Sequence, residues 1–220
     1  MRLLHTSTLR LREFYGDRTP EYAILSHTWG EEEVSLQELE KPESKARAGY
    51  SKIIGCCALA QLQGWEYVWI DTCCIDKTSS AELSEAINSM FRWYRDAKVC
   101  YAYLADVSVL SLDPAAMEVF RGSRWFTRGW CLQELLAPET LVFYDRDWKE
   151  IGTKQGLQTE ISIFTGIKEE HVSNPMSAST AQKMSWASKR KTTRLEDISY
   201  CLMGLFDVNM PLLYGEGMWF

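Results

Sequence analysis

Nowhere in the 220 residues is there a run of eighteen apolar side chains, so no membrane-spanning helix is expected. Basic character is also scarce. The 24 Lys and Arg against 30 Asp and Glu leave a formal net charge of −6, with no basic stripe, so a nucleic-acid surface is not expected. C-x-x-C is absent, and the three histidines, His5, His27 and His171, are scattered, which argues against a metal site. Neither G-x-G-x-x-G nor a P-loop occurs, so neither a dinucleotide-redox fingerprint nor a Walker site is supported. The start, Met1-Arg-Leu-Leu-His5, turns polar at Thr6 without a long apolar run, which argues against a secretory signal. Repeats and low-complexity segments are missing as well. These absences together lead to the expectation of a soluble, cytoplasmic protein.

What is present is globular. With 46% hydrophobic and 25% charged residues, the chain can bury one core domain plus an appended subdomain. Its seven cysteines are odd in number and partly vicinal, and they lie inside hydrophobic segments, the pattern of buried thiols in a reducing compartment.

Hydrophobic runs predict four strands, at Tyr22–Ser26, Tyr67–Asp71, Val99–Leu104 and Thr140–Tyr144. Helical patterns lie between them. Residues 51–63 are apolar on most sides and end at Gly64, while Leu83, Ile87, Met90, Phe91 and Tyr94 form one stripe after a capping box at Ser79–Glu82. The β-α-β-α-β-α-β order implies a parallel sheet flanked by helices. After Trp148 the pattern turns helical, at 155–165, at 180–190, and from a second capping box at Thr193–Glu196 that sets Leu195, Ile198, Leu202 and Leu205 on one face. The expected division is therefore an α/β core over 1–150 and a helical extension over 151–220.

In an open parallel sheet, ligands bind beyond the carboxyl ends of the strands. The first strand delivers Ser26, His27, Trp29 and Gly30 there, and the second delivers Asp71, Cys73, Cys74 and Asp76. The third leads to Arg124, Arg128, Trp130 and Glu134. On a helical wheel Cys131, Leu132, Leu135 and Leu136 share an apolar stripe, and Glu134 lies to its side, bordering the core without belonging to it. If Thr127 caps this helix, Glu134 lies too far in for a capping role. Each candidate also has a structural reading. His27 could bond a loop carbonyl, the tryptophans could be core or lid aromatics, Asp71 could cap a loop, and Arg124 and Arg128 could be solvated or meet phosphates. The acidic run Glu31–Glu33 reads as a solvated loop.

Three blocks carry a family resemblance: Tyr22-Ala-Ile-Leu-Ser-His-Thr-Trp-Gly30, Trp69-Ile-Asp-Thr-Cys-Cys-Ile-Asp76 and Gly129-Trp-Cys-Leu-Gln-Glu-Leu-Leu-Ala-Pro138, with a fitting closing segment from Glu196 to Gly217. With these the sequence resembles the fungal heterokaryon incompatibility (HET) domain, an intracellular module that triggers cell death after non-self recognition. More distantly, W-C-L-Q-E-L at 130–135 is similar to a helix of Toll/interleukin-1 receptor (TIR) domains. That likeness implies a TIR-like, flavodoxin-like α/β core of the HET domain over 1–150. It further implies a role of innate-immunity type, and cleavage of NAD as substrate with no other cofactor required.

Glu134 matches the TIR glutamate required for NAD cleavage and is the expected catalytic residue. Ser26, His27, Trp29, Gly30, Asp71, Arg128 and Trp130 are expected to contact the nucleotide or its ribose. The resemblance also implies a homo-oligomer with sites completed between protomers, and a separate sensor protein as a partner. A non-enzymatic signalling module is the alternative. A cysteine hydrolase or transferase using Cys131 or Cys74 with His27 as base is a further one.

Overall fold

The computed structural model describes residues 1–108 and 114–215. Asp113 of the connection before the tryptophan-rich segment, and Glu216 and Gly217 of the closing segment, lie outside the described residues.

A single seven-stranded sheet organises the fold. Its strands are β1 (Arg2–His5), β2 (Leu11–Glu13), β3 (Ala23–His27), β4 (Tyr67–Trp69), β5 (Val99–Tyr103), β6 (Leu141–Tyr144) and β7 (Glu150–Thr153), in the spatial order β2-β1-β4-β3-β5-β6-β7. The four strands expected from sequence form its parallel centre, with β3 paired in parallel to both β4 and β5, and β5 to β6. All residues of β3 and β5 are buried, as continuous apolar runs in a sheet covered on both faces require.

The edges differ from expectation. At one side β1 and β2 form an antiparallel hairpin continued onto β4, and at the other β7 runs antiparallel to β6, so the sheet is mixed. β7 is too short, with only Ile151 buried, to show a period against its polar flanks.

Helices α1 (Ala48–Leu62), α2 (Asp71–Cys74), α3 (Ser80–Asp96), α4 (Pro114–Arg121) and α5 (Cys131–Leu136) connect and flank the strands. From residue 158 onward come α6 (Gln158–Thr165), α7 (Glu169–Ser173), α8 (Thr180–Ala187) and α9 (Asp197–Tyr200). Among the described residues no helix is long and apolar enough to cross a membrane.

Both expected capping boxes are altered by tertiary contacts. Ser79 Oγ does accept from Glu82 N at 3.3 Å, but the Glu82 carboxylate turns instead to Asp76 N at 2.7 Å and to Arg2 at 2.6 Å. At the second, α9 begins after Glu196 with no side-chain cap, because the Glu196 carboxylate accepts from Gly215 N at 2.8 Å. The face expected there is split accordingly. Leu202 and Leu205 are buried, whereas Leu195 and Ile198 are 53% and 52% exposed.

The C-terminal region docks on α3 through a close backbone approach at Gly204. A Cβ built there would stand 2.0 Å from Phe91 Cβ. Gly204→Ala should therefore cost about 1–3 kcal/mol, seen as a lower urea midpoint at unchanged slope. An unchanged midpoint would show that this contact yields freely.

Candidate functional site

A cavity of about 250 Å³ opens beyond the carboxyl ends of β3 and β4, with α5 as one wall and the 193–214 region as another. The order of the parallel strands reverses at β3, which is where an open sheet leaves a crevice. Of the expected residues, His27, Trp29, Asp71, Arg128, Trp130 and Glu134 line the cavity.

Glu134 is buried, at 7% exposed, and this corrects its expected place beside the core. Two features of the chain explain the difference. The helix starts at Cys131 after a separate 3-10 turn at Arg124–Thr127, so Glu134 sits in its first turn, and Thr127 is not its cap. The chain near Lys191 also packs against the residues just before α5. Lys191 N donates to Thr127 O at 2.7 Å, and Gly129 N donates to Lys191 O at 2.8 Å.

Behind Glu134 lies Ser26, fully buried on β3. Its hydroxyl donates to Glu134 Oε2 and accepts from Trp125 Nε1 at 2.8 Å. Ser26 supports the cavity floor without lining it. Burial, reinforced by the negative charge of Asp71, pushes the Glu134 carboxyl up to about 8, against the opposing pull of Ser26, Cys131 and Arg128. Glu134 is therefore mostly protonated at neutral pH.

The next residue, His27, faces two carboxylates: Nδ1 is 3.8 Å from Asp71 Oδ1 and Nε2 is 3.7 Å from Glu33 Oε2. Asp71 opens α2, directly after β4. Its Oδ2 accepts from Trp29 Nε1 at 2.8 Å, while its Oδ1 is buried without a hydrogen-bond partner.

Glu33 corrects the reading of the acidic run as solvated. Burial works against its charge, yet the neighbouring His27 ring and hydrogen bonds from Lys52 and the Gly30 amide bring it down to about 2. Gly30 itself does not line the cavity, since its N–H is used on Glu33 Oε1 at 2.7 Å.

On the far wall Trp130 Nε1 donates to Asp197 Oδ2 at 3.1 Å, and Tyr214 OH donates to Asp197 Oδ1 at 2.9 Å. Asp197 thus fixes the Trp130 indole and ties the closing segment to the cavity. Asp197, Tyr214, Arg194 and Lys77 all line the site and were not expected there. Arg124 lies outside it, 4.0 Å from Asp106.

Burial and the nearby Glu134 push the Cys131 thiol well up, and Cys74 is buried too, which disfavours a thiolate nucleophile.

A buried carboxyl thus lies under a cavity at the strand ends of an α/β domain, walled by indoles and by charges of both signs. Residues 22–115 match the family described as heterokaryon incompatibility protein (HET). The chain is also similar to vegetative incompatibility protein HET-E-1 of Podospora anserina, 49% identical over 214 residues, which is 94% of this chain and 16% of that protein. Both findings support a heterokaryon incompatibility protein. No solved structure matches the chain.

Proposed function

We propose that this chain is a cell-death effector module of vegetative incompatibility, one that cleaves NAD to nicotinamide and an ADP-ribose product when self-associated. The relative's role in vegetative incompatibility supports the biological half of this reading. The observation that carries the chemical half is Glu134, buried at the foot of the cavity on the helix that bears W-C-L-Q-E-L, the motif of the TIR likeness.

One carboxyl suffices for this reaction. When the bond between ribose C1′ and the pyridinium nitrogen breaks, its electron pair neutralises the ring, so nicotinamide leaves without a general acid. The positive charge then moves to the ribose as an oxocarbenium ion, which a carboxylate stabilises in a site shielded from water. Water adds to C1′ and its proton leaves to solvent. Glu134 acts as its carboxylate, so its proton must leave first. A pyridinium cation entering beside it favours that ionisation. Asp71 and Asp197 stand ready to accept from ribose hydroxyls, with Arg128 and Arg194 near the phosphates.

The test is nicotinamide release from NAD by concentrated, self-associated protein between pH 5 and 9. The pH dependence of kcat/KM reports the free enzyme. It should rise with pH and level off above about 8, as the Glu134 carboxyl ionises. No release at any pH by the assembled protein would overturn the reading in favour of a module that signals through protein contacts alone.

A further inference from the structure

Lys77 lies in the loop between α2 and α3, and its Nζ stands 3.8 Å from the centroid of the Trp29 ring. Among the described residues it has no carboxylate within ion-pair distance and no hydrogen-bond acceptor. It is half-buried in the cavity wall. Burial pulls its pKa down, and only the more distant charges of Asp71 and Glu33 oppose that. The ammonium has therefore given up hydration for little more than the face of one indole.

That face is built to stay in place. Trp29 is 44% exposed, yet its Nε1 is held by Asp71 Oδ2 at 2.8 Å, so the ring remains presented when the lysine leaves. Its surroundings favour positive charge. Asp71 keeps a buried oxygen without a donor, and Glu33 is held ionised by Lys52, His27 and Gly30. Tryptophan offers the strongest aromatic face for a cation. A flat cationic ring would add stacking area that an ammonium lacks. Lys77 has a flexible four-carbon stem on a loop, and can return its head to water.

We propose that the face of Trp29 is a subsite for a planar organic cation, with Lys77 as the resident occupant that such a ligand displaces. The exchange of one cation for another leaves the charge around Asp71 and Glu33 balanced. A neutral ring of the same shape lacks this advantage and competes poorly with the lysine. The inference rests on the NAD reading in one respect, that the pyridinium ring of NAD is a cation of this class.

The experiment is calorimetric titration of wild type, Lys77→Met, Lys77→Arg and Trp29→Leu with 1-methylnicotinamide, a permanent pyridinium cation, and with neutral nicotinamide. Wild type should bind the cation more tightly than the neutral ring. Lys77→Met should bind the cation about ten-fold more tightly still, the size of one desolvated cation–π contact. Lys77→Arg should behave as wild type, and Trp29→Leu should lose the preference for the cation. Thermal melts confirm that each variant folds.

Equal affinity for the two rings in wild type, no cation binding by wild type and Lys77→Met, or unchanged or weaker cation binding by Lys77→Met would each overturn the proposal. Weakening reversed by Lys77→Arg would instead assign the ammonium to an anion. The probe has no glycosidic bond, so the outcome is independent of turnover. Failure to cleave NAD with the cation preference intact sinks the function, whereas cleavage without that preference sinks only this subsite.

Discussion

Glu134→Gln should fold, should gain stability over wild type as the pH rises from 5 to 9, and should lose NAD cleavage. The stability effect follows from linkage. The carboxyl is pushed from 4.5 to about 8 on folding, so between those values the native state holds a proton that the unfolded state has released. Its contribution is fully present below the lower value and is lost as pH rises through the upper one. Above that, the buried carboxylate costs a wild-type molecule on the order of 5 kcal/mol relative to a neutral side chain of the same shape. The glutamine never ionises. It can still accept from Ser26, so near pH 5 the two proteins should melt together. At pH 9 the variant should melt higher by about 10 °C. Lys154, whose buried ammonium is pulled down to about 8, imposes the opposite slope on both proteins and cancels in the difference. Equal melting differences at both pH values would show that Glu134 is not desolvated in the native state. Nicotinamide release should fall at least about a thousand-fold, the scale of removing a main electrostatic stabiliser of a transition state. A variant that is more stable and yet inactive separates the chemical role of this residue from any structural one.

The centre of the fold was legible because buried parallel strands write themselves as apolar runs bounded by turns. β3, β5 and β6 fall within a residue or two of their expected ends. The two antiparallel edges were not legible. β2 and β7 have few buried positions, and their pairing depends on the partner strand rather than on their own pattern. Glu134 illustrates the same limit at the site. A helical wheel ranks faces by local polarity and cannot know that a segment some sixty residues later will pack close by. The bond from Lys191 N to Thr127 O and the close approach at Gly129, where an added Cβ would stand 2.6 Å from Thr192 Cγ2, bring that later segment against the residues just before α5. Glu33 was misread for a related reason, since its partners Lys52 and His27 are distant in sequence or hidden by the loop's acidic composition. The residues named from strand ends were found largely because topology alone brings such ends together. Lys77, Asp197 and Tyr214 come from a loop and from the closing segment, where no period or motif marks a residue as facing a cavity.

Trp125→Phe should destabilise the fold by about 2–4 kcal/mol and move the titration of Glu134 upward. Trp125 is fully buried against Phe126 and Phe143, with ring centroids 4.9 and 5.7 Å away. Phenylalanine keeps part of that edge-to-face packing but leaves space where the larger ring was, and it removes the donor that Ser26 Oγ accepts at 2.8 Å. The chain from the Trp125 indole through the Ser26 hydroxyl to Glu134 runs donor to acceptor throughout, so each bond polarises the next. Without the indole, the serine hydroxyl is a weaker donor to the carboxylate. The charged form of Glu134 then loses support while its burial is unchanged, and its pKa rises. In the NAD-cleavage assay, the level region of kcat/KM should begin at a higher pH for the variant than for wild type, with cleavage recovered at the alkaline end. A purely structural role would lower the urea midpoint without moving that break. Ser26→Ala provides the complementary measurement. It should shift the break in the same direction with a smaller loss of stability, because it removes the same donor to Glu134 and only one buried oxygen. If Trp125→Phe leaves the break in place while Ser26→Ala moves it, the indole supports packing alone and the serine acts on Glu134 without its help.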